Sequence, residues 1–306
     1  MRLIRPLALA LTATLGLGAL TGCVPPAGDR PLVVVTTNIL GDVVQNLVGP
    51  EAEVLTLMRP NSDPHSFEIS AREAARILGA DLIVANGLGL EEGLQQQLDA
   101  AEAAGVPMLA AGEVIDPLPY AAGTGSNTAD PHFWTDPARM IEVVDAVTAA
   151  IQAEVDGVDT AAIEAQAAAY TAELRTLDAE MTAAFAAIGP ERRNLVTNHH
   201  VFGYLADRFD FAVVGAVIPG GSTLAAPSAS DLRSLVDAID AAGVSTIFAE
   251  SSQPDRLVQV LADEAGLDVA VVHLFTESLS EPGAGADNYL TMMRTNTERI
   301  ATGLSP

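Results

Sequence analysis

The sequence predicts an α/β protein: two lobes of parallel sheet flanked by helices, joined by one long rigid linking helix. Two patterns predict it. Short β-branched runs alternate with amphipathic stretches at the spacing of parallel βαβ units, once in each half of the chain. Between the halves, apolar residues recur at helical spacing over about thirty residues. The 306 residues, 49% of them hydrophobic, suffice for two domains of ordinary size.

In the first half, Leu32 to Thr36 reads as a buried strand, and Ile39 to Val48 as a helix stopped by Gly49-Pro50. Val54 to Met58 is a second strand. Ser70 caps a helix running to about Leu78, and Leu82 to Ala85 is a third strand. Glu91 to Ala104 is a helix and Val106 to Ala110 a fourth strand. Two helical stretches follow, at about Pro137–Val155 and Asp159–Ile188. In the second, Ile163, Tyr170, Leu174, Leu177, Met181, Phe185 and Ile188 form the stripe, and Gly189-Pro190 ends it. At 1.5 Å per residue this helix spans roughly 45 Å, more than one small lobe needs. A single stiff helix implies two lobes held nearly fixed, with a crevice between them. The second half offers strands at Asn194–Thr197, Val213–Val217, Ser245–Ala249 and Val269–Leu274. Its helices fall at about Val201–Arg208, Ser230–Ala242, Asp255–Ala265 and Asn288–Ala301. No short sequence repeat accompanies this symmetry.

Arg2 and Arg5 precede an apolar stretch from Leu7 to Leu20, which has the length of a secretory h-region rather than a transmembrane helix. It ends in Leu20-Thr21-Gly22-Cys23, which resembles a bacterial lipobox. Cys23 is the single cysteine of the chain, and a lipidated cysteine avoids the liability of an exposed thiol. The expected organisation is a signal peptide at 1–22, a tether at 23–30, an N-terminal lobe at 31–158, the linking helix at 159–188 and a C-terminal lobe at 189–306. The formal net charge is −25, with 40 acidic against 15 basic residues. Such a surface repels phosphate backbones, so no nucleic-acid partner is expected.

Five histidines are present: His65, His132, His199, His200 and His273. His65 lies just past the second strand and His199 just past the fifth. Ligands of open α/β sheets bind beyond the carboxyl ends of strands, where a crevice would have its walls. His132 precedes the first linking stretch, and Glu277 follows the last strand. Imidazole and carboxylate donors suit borderline divalent ions, and three of the first with one of the second satisfy a tetrahedral zinc. Each histidine taken alone also fits a loop cap or a hydrogen-bond donor. His200, adjacent to His199, cannot readily aim at the same atom. His273, inside a strand, is expected to point into the fold or donate to a carbonyl. Glu250, at a strand end, fits either an acceptor for a ligand imidazole or an arginine salt bridge.

Several blocks resemble the zinc- and manganese-binding lipoproteins of metal-uptake ABC transporters. Asp63-Pro64-His65-Ser66-Phe67-Glu68 is similar to that family's Asp-Pro-His-x-aromatic-Glu, and Pro131-His132-Phe133-Trp134-Thr135-Asp136-Pro137 to its Pro-His-x-Trp-x-Asp-Pro. Val196 to Tyr204, Ile247 to Glu250, Phe275 to Leu279 and Asp287 to Met293 resemble its later blocks, in family order. The resemblance implies a receptor that captures a metal between its lobes and delivers it to an ABC importer, not an enzyme. It implies His65, His132, His199 and Glu277 as metal ligands. It also implies the transporter permease as partner, an extracytoplasmic location anchored through lipidated Cys23, and a monomer. The family's fourth ligand is usually aspartate, so Glu277 departs by one methylene. Histidine at position 199 points to Zn2+ rather than Mn2+, the alternative. Asp116 to Ala129 contains no histidine, so a His-rich loop found in some zinc members is missing.

Other readings have less support. A zinc-dependent hydrolase needs an open coordination position and a positioned base, and no His-Glu-x-x-His occurs. An adhesin would rest on location alone. Gly87-Leu88-Gly89-Leu90-Glu91-Glu92-Gly93 comes near a dinucleotide loop, but the third glycine is misplaced and two glutamates would repel a pyrophosphate.

Overall fold

The computed structural model describes residues 30–120, 128–218, 223–224, 227–251, 256–265 and 269–305. The signal peptide and Cys23 lie outside the described residues. The first lobe holds β1 (Leu32–Val35), α1 (Asn38–Val48), β2 (Glu53–Thr56), α2 (Ala71–Ile77), β3 (Leu82–Ala85), α3 (Gln95–Ala103) and β4 (Met108–Ala110). Helices α4 (Pro137–Glu154) and α5 (Thr160–Ala186) follow. The second lobe holds β5 (Asn194–His199), α6 (Gly203–Phe209), β6 (Ala212–Ile218), α7 (Ala229–Ala242), β7 (Thr246–Glu250), α8 (Arg256–Ala265), β8 (Ala270–Leu274) and α9 (Tyr289–Gly303).

Both sheets are parallel and four-stranded, in the orders β2-β1-β3-β4 and β6-β5-β7-β8. The same wiring therefore occurs twice without a repeated sequence. In each sheet the chain reverses direction of growth beside its first strand, so a crevice opens between β1 and β3 and between β5 and β7. His199 ends β5 and Glu250 ends β7, one on either side of that crevice.

Side chains of each strand alternate between two apolar layers, as both faces of a parallel sheet are covered. Val33, Val35, Leu82 and Val84 face a central core, while Val34, Ile83 and Ala85 face an outer one with Leu94 and Leu98. In the second lobe Leu195 and Phe248 face the central core, and Val196, Ile247 and Ala249 an outer one. The central core is continuous through both lobes. The α5 stripe of Ile163, Tyr170, Leu174, Leu177, Met181 and Phe185 joins it, with Met140 and Val144 of α4 and Tyr289 and Ile300 of α9. Helix α5 has 27 residues, begins at an Asp159 cap and ends at Ala186, so the last residue of the expected stripe, Ile188, falls just past it. The two lobes thus share buried apolar surface along a helix, which opposes a wide hinge.

The structure corrects the sequence reading in details. Strand β5 extends two residues beyond Thr197 and carries His199 itself. The helix expected from Glu91 begins as a separate 3-10 turn at Glu92–Leu94. Of the two expectations for His273, pointing into the fold is not met: its side chain is exposed. It sits on β8, an edge strand of its sheet among the described residues.

Candidate metal centre

His65 is held by an Asx turn. Its backbone N–H donates to Oδ1 of Asp63 (2.8 Å), and the Ser66 hydroxyl donates to Oδ2 (3.1 Å). His132 is held the same way: its N–H donates to Oδ1 of Asp130 at 2.9 Å. The triplet Asp-Pro-His occurs twice in the chain and builds the same local turn twice. Asp130 does more, since its Oδ1 also lies 2.7 Å from Nδ1 of His132. That approach needs Gly203, where an added Cβ would sit 2.4 Å from Oδ2 of Asp130. His199 leaves the end of β5 with its carbonyl accepting from the Thr197 hydroxyl at 2.7 Å.

Glu277 comes from the loop after β8, and that loop is tied to the first lobe. The Trp134 indole N–H donates to the Thr276 carbonyl at 2.7 Å. Asn38, the first residue of α1, donates to the Ser278 hydroxyl (2.8 Å) and accepts from Leu279 N–H (2.9 Å). Asn61 N–H donates to the Leu279 carbonyl at 2.9 Å.

These supports bring the four sequence-predicted residues together. Nε2 of His65, His132 and His199 lie 3.0, 3.2 and 2.9 Å from a single atom, Oε1 of Glu277. One donor atom from each residue falls within 4.8 Å of all the others, and all four residues are at most 1% exposed. Tetrahedral zinc with bonds of about 2.0–2.1 Å has donor–donor edges of roughly 3.3–3.4 Å, close to this spacing. His200 does not join them. It is half-buried, with its ring 5.7 Å from that of Tyr120 and the Tyr120 hydroxyl donating to its carbonyl at 3.3 Å.

The charges of the cluster depend on one another. Burial alone would raise the Glu277 carboxyl, but the neighbouring His199 charge and hydrogen bonds from His132, His199 and His65 hold it well below the usual carboxylate range. Burial alone would lower His199, yet Glu277 and Glu250 carry it well above an ordinary imidazole. His132 is likewise raised, against burial, by Asp130 and Glu277. Glu250 is pushed up to about 7, by burial first and by the Glu277 charge. His200 is lowered by burial and by His199. The arrangement stabilises positive charge at the point where the three imidazoles meet.

Sequence reading assigned no role to Asp130, although the doubled Asp-Pro-His triplet was a usable signal. It left Glu250 between two roles. Its Oε2 lies 3.2 Å from Nδ1 of His199, and it is 1% exposed. The glycine-rich loop binds its own carboxylate: Glu91 accepts from Asn86 N–H (2.7 Å), Gly87 N–H (3.2 Å) and the Thr36 hydroxyl (2.6 Å). Those amides are therefore not offered to a phosphate.

A family model described as zinc-uptake complex component A, periplasmic (ZnuA) matches residues 33–303. The chain belongs to the ZnuA family. Among relatives of this ZnuA-family chain, the zinc-binding protein TroA of Treponema pallidum is 30% identical over 302 residues, covering 95% of this chain and 96% of TroA. The manganese-binding lipoprotein MntA of Halalkalibacterium halodurans is 26% identical over 279 residues, covering 91% and 90%. The iron-binding protein YfeA of Yersinia pestis is 27% identical over 271 residues, covering 89% and 85%. The solved structure of periplasmic TroA superposes with a TM-score of 0.83 at 29% identity, covering 90% of this chain and all of that one. The two-lobed ZnuA-family fold is thereby established, and the relatives are named as binding components, not enzymes.

Proposed function

We propose that this protein is the extracytoplasmic receptor of a metal-uptake ABC transporter, that it captures one divalent transition metal per chain, and that zinc is the preferred ion. The observation that carries the reading is the convergence of three buried imidazole Nε2 atoms on Oε1 of Glu277. His65, His132, His199 and Glu277 are the ligands. Two come from the first lobe and its connection, two from the second. Three nitrogens and one oxygen close a four-coordinate zinc shell, which is the set expected for holding an ion rather than activating water on it. The metal is the cargo, and the transporter's permease is the partner that receives it. Relatives named as lipoproteins support attachment through lipidated Cys23. No helix among the described residues is long and apolar enough to cross a membrane. The receptor acts as a monomer.

Manganese is the second reading, and one observation favours it. Oε2 of Glu277 is buried without a hydrogen-bond partner among the described residues, so it could serve as a further oxygen donor. Manganese prefers more oxygen donors than zinc. Relatives bearing zinc, manganese and iron in their names leave family membership neutral on this choice. Elemental analysis of protein purified without chelator, followed by zinc–manganese competition, tests the proposal. One ion per chain with zinc held more tightly is expected. A chain that takes up neither ion would overturn the receptor reading, and tighter manganese would overturn the zinc preference.

A further inference from the structure

An imidazole that gives Nε2 to a metal must carry its proton on Nδ1, and a buried N–H needs an acceptor. Two of the three imidazoles have a buried carboxylate there: Asp130, hydrogen-bonded to His132 at 2.7 Å, and Glu250, facing His199 at 3.2 Å. Nδ1 of His65, like Nδ1 of His199, is buried and has no completed hydrogen bond among the described residues. Among the described residues, the carboxylate within 4.0 Å of Nδ1 of His65 is Glu92, with Oε1 at 3.9 Å. That distance is beyond a hydrogen bond and within the reach of a side-chain rotation.

The local backbone is built for this approach. Glu92 opens the 3-10 turn Glu92–Leu94. The next residue is Gly93, where an added Cβ would lie 2.6 Å from the Phe67 carbonyl. The absence of a side chain at 93 lets the turn pack against the segment that carries His65. Unlike Asp130 and Glu250, Glu92 is substantially exposed, with 46% of its side chain open to solvent.

We infer that Glu92 is the positioning residue of His65: its carboxylate takes up the Nδ1–H when the metal is bound, and its exposure makes His65 the ligand most easily released. This rests on the metal-centre reading proposed above. Loss of such an outer partner costs about 10–100-fold in metal affinity, and a half-exposed partner belongs at the lower end. Glu92→Ala should release zinc to an excess of chelator about tenfold faster than the wild type. Glu92→Gln keeps an acceptor oxygen, so its release rate should stay near the wild type while the lost charge slows capture modestly. Glu68→Ala removes an exposed carboxylate from the same surface and controls for the general field. Gly93→Ala should speed release by displacing the turn, and serves if Glu92→Ala does not fold.

The test is chelator-triggered release measured by stopped flow, with zinc titration and with manganese as a second titrant. Faster release in Glu92→Ala, restored in Glu92→Gln, supports the inference. Release unchanged in both Glu92→Ala and Gly93→Ala overturns it, as does equal acceleration in Glu92→Gln and Glu68→Ala, which would reveal a charge effect only. A wild type that binds neither ion one-to-one would instead overturn the metal centre itself, and this inference with it.

Discussion

Nδ1 of His199 faces Oε2 of Glu250 at 3.2 Å while Nε2 of the same ring faces Oε1 of Glu277 at 2.9 Å. The imidazole is thus clamped between two buried carboxylates, Glu250 at the end of β7 and Glu277 in the loop after β8. Glu250 stands where it can accept from an Nδ1–H and so favour the tautomer whose Nε2 points at the centre. Glu250→Ala removes the acceptor that faces Nδ1 of His199. It should weaken zinc binding about 10–100-fold with little change in secondary structure. Competition titration and circular dichroism check both halves of that expectation.

Gly203 limits the other clamp. Gly203→Ala places a methyl 2.4 Å from the present position of Oδ2 of Asp130. The carboxylate must swing away from Nδ1 of His132. The expected result is zinc affinity lowered by about tenfold, a loss matched by Asp130→Ala and not added to it in the double variant. Additive losses would show that Gly203 acts elsewhere.

The pKa directions give a sign for pH dependence. His132 and His199 have folded values above the ordinary imidazole, so their contribution to folding is full below about 6.5 and is lost as pH rises through the raised values. Glu277 is depressed, so its contribution is present above about 4.3 and lost as pH falls further. The metal-free chain should therefore melt at lower temperature as pH climbs from about 6.5 to 9. Zinc binding displaces those protons, so affinity should rise over the same range. Melting curves with chelator and with excess zinc should diverge as pH increases. Parallel curves would contradict the assignment of protons to this cluster.

The proposed metal preference turns on His199. His199→Glu exchanges a nitrogen donor for a carboxylate and adds negative charge, so it should narrow the expected advantage of zinc over manganese. Competitive titration of both ions at fixed pH measures it. A preference that does not move would place residue 199 outside the ligand set.

Anchoring is checked at the N-terminus. Mass spectrometry of the native protein should find Cys23 as the acylated first residue, with more than one acyl chain, since one alone binds membranes only marginally. An unmodified start at another residue would refute it.

Much of the fold was legible because parallel strands are buried on both faces and so read as continuous apolar runs rich in β-branched residues. Val33-Val34-Val35 and Leu82-Ile83-Val84 are of this kind. The α5 stripe was legible for the analogous reason, since one helical face meets a single continuous core. That His273 does not point into the fold was not legible, because strand membership alone does not say how much of a strand is covered. The end of β5 was placed two residues early because Asn198 and His199 are polar, and only the neighbouring strand β6 keeps them in the ladder, pairing His199 with Ile218.

The sequence by itself determined the α/β class, the alternation of strands and helices, and the long helix, and it singled out four candidate donor residues whose surrounding motifs resemble a metal-binding family. Those features are local, carried by periodicity, turn residues and short motifs. Only the tertiary structure decided that His65, His132 and His199 meet on one oxygen of Glu277. It alone decided that Asp130, Glu250 and Glu92 face their other nitrogens. Glu277 lies 212 residues from His65 along the chain and 3.0 Å from it in space. Such a contact is set by the packing of two sheets around a shared core and by bonds such as Asn38 to Ser278, which no local pattern encodes.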